Sequence, residues 1–187
     1  FNADFSDPNN INYLRVELCT DPNHVQNDPN VFDLEDAFSI SMWVRRDSLT
    51  GDWAYLVYTD AYDLELAKNP DGDGDPYDYF WSSEPDWQYS VGVQTEEQKN
   101  LGSWYHLAIT CDNQFLKKYV NGVLQHTRYI SPEVNLPRAT TDFYIASRAG
   151  SDRAFTGALD DVAIWSGSYL PAEEVAKLAS GAATPLT

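Results

Sequence analysis

Residues 103–125 read SWYHLAITCDNQFLKKYVNGVLQ, and their pattern decides the fold. From Trp104 to Cys111 every second position, Tyr105, Leu107, Ile109 and Cys111, is apolar or aromatic, as in an extended segment with one face toward a core. Phe115–Val120 is a second such segment. It runs into Asn121-Gly122, a pair that tolerates the positive φ angles of a two-residue hairpin turn, and Val123–Ile130 leaves on the other side.

Outward from this hairpin the same period of two recurs. In Tyr13–Cys19, Leu14, Val16 and Leu18 oppose Arg15 and Glu17; in Phe38–Val44, Phe38, Ile40, Met42 and Val44 oppose Ser39, Ser41 and Trp43. Apolar or alternating runs also occupy residues 53–58, 62–67, 87–93, 142–147 and 158–165. The pattern predicts an all-β, antiparallel two-sheet β-sandwich or jelly roll, with residues 1–187 forming one domain. One short C-terminal helix is expected from Pro171 to about Ser180. Proline suits the first helical position, Glu173 and Glu174 complement the positive end of the helix dipole, Val175 and Leu178 form an apolar stripe, and Gly181 ends it.

Charge narrows the partners. The chain carries 12 Lys and Arg against 29 Asp and Glu, a net charge of -17, which repels nucleic acids and anionic lipid surfaces and favours hard cations with oxygen ligands. No stretch is long and apolar enough to span a bilayer, so no membrane insertion is expected, and no positively charged, apolar leader is present. A chain starting at Phe1 suggests a processed protein or a module of a larger one. Cys19 and Cys111 are compatible with export, and their pairing is open.

Between residues 69 and 81 the chain reads NPDGDGDPYDYFW. Asp71, Asp73 and Asp75 stand at positions one, three and five of an EF-hand register, but Pro76 and Ser82 occupy the positions that need Gly and Glu. Two readings stay open: an Asp/Gly hairpin tip, and a weak cation site relieving carboxylate repulsion. Aromatic residues crowd the same region, interleaved with Asp, Glu, Ser and Gln. Flat rings suit the C–H faces of sugars, and nearby acids accept from hydroxyls, so Trp81, Tyr79, Trp53, Tyr62, Trp87 and Tyr77 are the candidate ligand-binding residues. Tyr55 and Tyr89, which alternate within strands, read equally well as core or cross-strand pairs. Tyr79, Phe80 and Trp81 are expected at a loop end.

Three stretches carry a family resemblance: FSISMWVRRDSLTG from Phe38, the hairpin sequence from Ser103, and FTGALDDVAIWSGSYLPAEEVAKL from Phe155. In this order they resemble laminin-G-like domains of the concanavalin A-like lectin/glucanase superfamily. The resemblance implies one structural Ca2+, with Asp160 supplying its side chain, Asp161 beside it, and backbone carbonyls of the N-terminal segment completing the shell. It also implies that His106 is structural. The superfamily's glycosidases carry Glu-x-Asp-x-x-Glu on one strand; the nearest string here, Asp63-Leu64-Glu65, lacks the third acid, and no intact lyase motif occurs. The expectation is therefore a calcium-containing, extracellular, carbohydrate-binding module without catalytic activity, monomeric, with a glycan as partner. The alternatives are an adhesion or assembly module that binds protein and, third, a glycoside hydrolase or polysaccharide lyase.

Overall fold

The Asn121-Gly122 turn closes as its sequence requires: both residues take positive φ, 49° and 77°, and Val123 pairs with Val120 across it. A computed structural model describes residues 2–4, 14–16, 34, 37–48, 53–60, 62–68, 76–82, 90–93, 100–130, 143–148 and 153–185. In chain order its strands are β1 (Asn2–Asp4), β2 (Leu14–Val16), β3 (Ala37–Arg46), β4 (Trp53–Tyr58), β5 (Tyr62–Lys68), β6 (Pro76–Ser82), β7 (Ser90–Val93), β8 (Trp104–Asp112), β9 (Phe115–Val120), β10 (Val123–Tyr129), β11 (Phe143–Ile145) and β12 (Gly157–Ser166). One helix, α1 (Ala172–Ser180), follows.

The strands form two six-stranded antiparallel sheets, ordered β1-β12-β3-β8-β9-β10 and β2-β11-β4-β5-β6-β7. One apolar cluster draws on both. From the first sheet come Phe38, Ile40, Met42, Val44, Leu107, Ile109 and Leu159; from the second, Leu56, Val57, Leu64, Phe143 and Ile145. The alternation read in Phe38–Val44 and Trp104–Cys111 is thus the inward face of β3 and β8, and removing these side chains from water drives their pairing. Cys111 is buried in this cluster, whereas Cys19 lies outside the described residues.

The opposite face of β3 departs from simple alternation, because Ser39 and Ser41 are buried too. The segment after β12 folds back over them: the Leu170 N–H donates to Ser39 Oγ at 2.8 Å, and Val175 of α1 packs with Ala108 and Tyr119 on that face. Helix α1 matches the expected span. Pro171 takes the N-cap place rather than the first helical one, Gly181 adopts φ 72° at the C-terminal stop, and Val175 and Leu178 are the buried stripe.

Two further differences concern strands. Pro76–Ser82 is a strand paired with β5 over its whole length, so Tyr79, Phe80 and Trp81 are not at a loop end. Ladder pairing with Tyr62–Lys68 outweighs the turn-like composition just before it. β1 was not evident in the sequence; Asn2–Asp4 pairs with Asp160–Ala158.

Candidate functional site

With α1 packed on the first sheet, the second sheet has a face away from the core on which no described helix or strand packs. Its parity is fixed by described core residues. Val57 pairs with Leu64 and both are buried, so the next residue along β4, Tyr58, lies on the other face, and its ladder partner is Asp63.

Register extends that pair into a cross-strand row: Arg15, Tyr144, Tyr58, Asp63, Trp81 and Ser90. A second row, Tyr55, Glu65, Tyr79 and Gly92, runs beside it, and a third joins Trp53, Ala67 and Tyr77. Four of the candidate residues, Trp53, Tyr77, Tyr79 and Trp81, are therefore brought into neighbouring rows, with Asp63 and Glu65 of β5 in their midst. A bulge makes this possible. Leu56 is an extra residue between the Tyr55–Glu65 and Val57–Leu64 pairs, so Tyr55 and Tyr58 share a face although three positions apart.

The described half of these rows is held by arginines. Tyr55 and Tyr58 meet edge to face with ring centroids 5.3 Å apart, and Tyr144 lies 6.4 Å from Tyr58. Arg153 stacks over Tyr55 at 5.6 Å and donates to its hydroxyl at 2.8 Å, while Arg148 stacks over Tyr58 at 5.7 Å. The Tyr55 N–H donates to the Arg153 carbonyl, which ties the segment after β11 to β4. Arg153 covers Tyr55, which is nearly closed to solvent, whereas Tyr58 and Tyr144 remain half-buried. Chemically, the described side chains here offer tyrosine ring faces for C–H groups and phenol and guanidinium donors.

Tyr62 is a correction. It is 2% exposed and part of the core, because it shares the parity of the buried Leu64 rather than of Asp63 and Glu65. That shared parity was present in the sequence. Trp87, Asp71, Asp73 and Asp75 lie outside the described residues. Tyr144, Arg148 and Arg153 were missed. Tyr144 could have been found by its alternation with the apolar Phe143 and Ile145, but nothing local marks the two arginines as neighbours of β4.

Asp160 and Asp161 occupy a second bulge. Asp160 pairs with Trp43 and Ala163 with Ser41, so Asp161 and Val162 together face the single residue Met42. Asp161 takes the left-handed φ of 47°, and its N–H donates to Asp160 Oδ1 at 2.8 Å. Asp160 is also opposite Asn2 of β1, which sets the N-terminal strand beside its half-buried carboxylate. Asp161, Trp165 and Pro185 help line a groove of about 520 Å³. Among the described residues no group of three or more His, Cys, Asp or Glu could hold a metal, so a cation at Asp160 would need mostly backbone oxygens.

His106 lies on the covered face of the first sheet. Its Nε2 is 2.9 Å from Ser41 Oγ, Trp43 meets its ring edge-on at 5.4 Å, and its backbone exchanges hydrogen bonds with Asn121. Burial holds its pKa down at about 4, so the ring is neutral at ordinary pH.

A family model of the laminin-G type, described as the concanavalin A-like lectin/glucanases superfamily, matches residues 20–176. Among solved structures, domain 4 of AbnA, a GH43 extracellular arabinanase from Geobacillus stearothermophilus in complex with arabinotriose, is similar. It is 24% identical with a TM-score of 0.58, over 78% of this chain and 68% of that one. The heptameric SAP-like pentraxin from Limulus polyphemus matches at 14% identity and TM-score 0.60, over 78% and 70%. The ligand binding domain of botulinum neurotoxin serotype D in complex with N-acetylneuraminic acid matches at 11% and 0.58, over 78% of this chain and 36% of that one. At these identities the likeness shows the fold. No curated protein sequence matches this chain.

Proposed function

Because the chain belongs to the concanavalin A-like lectin/glucanases superfamily, we propose that it is an extracellular carbohydrate-binding module, without catalytic activity of its own, whose ligand lies across the face of the second sheet that carries these rows. What supports it above all is the set of adjacent rows that unite Trp53, Tyr55, Tyr58, Tyr77, Tyr79, Trp81 and Tyr144 with Asp63 and Glu65. Residues from four strands converge there although they are spread over about ninety positions of the chain. Neutral or acidic sugars both fit such a surface: rings take the C–H faces, β5 carboxylates accept from hydroxyls, and Arg148 and Arg153 add donors at one side. The similar structures bound to arabinotriose and to N-acetylneuraminic acid add weight to a glycan over a protein partner.

A structural Ca2+ belongs to the proposal. Asp160 would give it a carboxylate and the backbone of β1 its carbonyls, and the ion would tie the N-terminal strand to β12. Its part is to order this edge; sugar contact falls to the second sheet.

A glycan array with Ca2+ and again with chelator tests the ligand class. On a positive glycan, Trp81→Ala should abolish retention while the melting temperature holds, since one stacking ring carries about 1–3 kcal/mol in a weak site. A positive array with an unaffected Trp81→Ala would move the site elsewhere. No binding to any glycan, together with capture of a protein ligand, would favour the adhesion module. Release of reducing ends abolished by Asp63→Asn or Glu65→Gln would make it an enzyme.

A further inference from the structure

The groove of about 520 Å³ beside β12 lies between residues 161–165 of that strand and residues 184–185 after α1. Its lining comes from both faces of the strand: Ala163 and Trp165 stand opposite the buried Ser41 and Ser39, whereas Val162 and Ile164 pack against the core. Only along its length does a strand present both parities to one space, so the groove runs beside β12 past the point where Asn2 pairs with Asp160. Its volume falls in the range of about 300–1,000 Å³ typical of small-ligand sites, and Pro185 adds an apolar wall opposite the strand.

Asp161 is the single charged residue in that lining. The bulge opposite Met42 holds its backbone at φ 47°, a region that L residues avoid and that Asp and Asn tolerate better than most. Its N–H is spent on Asp160 Oδ1, but its own half-buried carboxylate makes no hydrogen bond or ion pair with a described residue. Other acids of the chain hold a cation: Asp47 pairs with Arg45, Asp112 with Lys117 and Glu174 with Lys177. No Lys or Arg lines the groove to do the same for Asp161.

A carboxylate without a counter-ion, a tryptophan and several apolar side chains around one groove suit a cation carried on a C–H-rich frame. An ammonium group can take a charge-assisted hydrogen bond from Asp161 and the attraction of an indole ring at Trp165, while Val162, Ile164 and Pro185 cover the frame. A hard metal ion needs several oxygen ligands, and among the described residues no group of three or more His, Cys, Asp or Glu supplies them; an ammonium needs only one carboxylate. The net charge of -17 draws cations to the molecule and repels anions. We infer that this groove is a binding site for an amino sugar with its amine protonated, held by Asp161 and Trp165. That the frame is a sugar rests on the carbohydrate reading; that it carries an amine rests on Asp161. The groove belongs to the first sheet and the aromatic rows to the second, so the two sites take ligand separately.

NMR titration of the full chain with glucosamine, at a pH where its amine is protonated, in Ca2+ and again in chelator, tests this. The Trp165 indole N–H and the Asp161 amide should shift and saturate in both, and N-acetylglucosamine and glucose, which lack the charge, should bind at least about tenfold more weakly. Asp161→Asn should weaken glucosamine by at least about tenfold at an unchanged melting temperature, because Asn also tolerates the left-handed backbone. Equal affinity for the three sugars, shifts confined to other tryptophans, or a variant that binds glucosamine as the native chain does overturns the proposal. So does n-butylamine binding as tightly as glucosamine, which would make the ligand a bare ammonium such as a lysine side chain. Binding seen only in chelator overturns it too, and gives Asp161 to the metal. Should Asp161→Asn unfold, the ranking of the three sugars at the Trp165 signal of the native chain decides. The carbohydrate reading is measured elsewhere, on the glycan array and at the Trp81 indole, so failure there is distinct from failure at this groove.

Discussion

Acid should unfold this protein partly through one buried histidine. His106 is 1% exposed, and burial lowers its pKa from the ordinary 6.5 to about 4. Its Nδ1 has no hydrogen-bond partner among the described residues, so no acceptor is at hand for a second ring proton. The sign follows from linkage. Above the unfolded value both states are neutral and His106 costs nothing. As pH falls from 6.5 toward 4 the unfolded chain binds a proton that the folded one refuses, so stability is lost through that window and levels off below it. A difference of about 2.5 in pKa, at about 1.4 kcal/mol each, gives a loss of roughly 3 kcal/mol, a large part of a typical domain's total stability. Urea unfolding of the native chain and of His106→Gln, followed by tryptophan fluorescence at several pH values between about 7 and 4, measures it. His106→Gln also loses the contacts with Ser41 and Trp43, so its curve starts lower. The comparison lies in slope, which cancels the carboxylate titrations common to both chains. The native curve should fall more steeply by a total of about 3 kcal/mol by pH 4. Parallel curves would refute the argument and mean that the buried ring finds an acceptor or water when it charges.

Gly157→Ala should destabilise by about 1–3 kcal/mol or more, seen as a lower urea midpoint. A Cβ there would sit 2.0 Å from the Arg45 carbonyl oxygen and 2.7 Å from the Phe155 ring, and the β3 backbone cannot yield. Excess Ca2+ should raise the melting temperature relative to chelator, and Asp160→Asn should remove most of that rise. Equal melting curves with and without the ion would end the calcium proposal.

The local pattern determined much of this protein. Period-two alternation placed nearly all the long strands, Asn121-Gly122 fixed a hairpin, and the Pro171, Glu173, Glu174 and Gly181 signals bounded the helix, because each depends on a few neighbouring residues. That aromatic residues crowd the stretch from Trp53 to Tyr89 was legible by composition alone. Their placement was not. Whether Tyr55 and Tyr58 share a face depends on the Leu56 bulge, and Asp160 and Asp161 owe their positions to the bulge opposite Met42; each is set by a partner strand distant in sequence. β6 likewise became a strand through its ladder with β5, against its own turn-rich approach. Ser39, Ser41 and His106 alternate like surface residues and are buried because α1 and Leu170, some 65–130 residues later, fold over them. A strand's two faces are distinguishable in sequence only while one of them meets water; where another element covers the second face, tertiary packing alone decides.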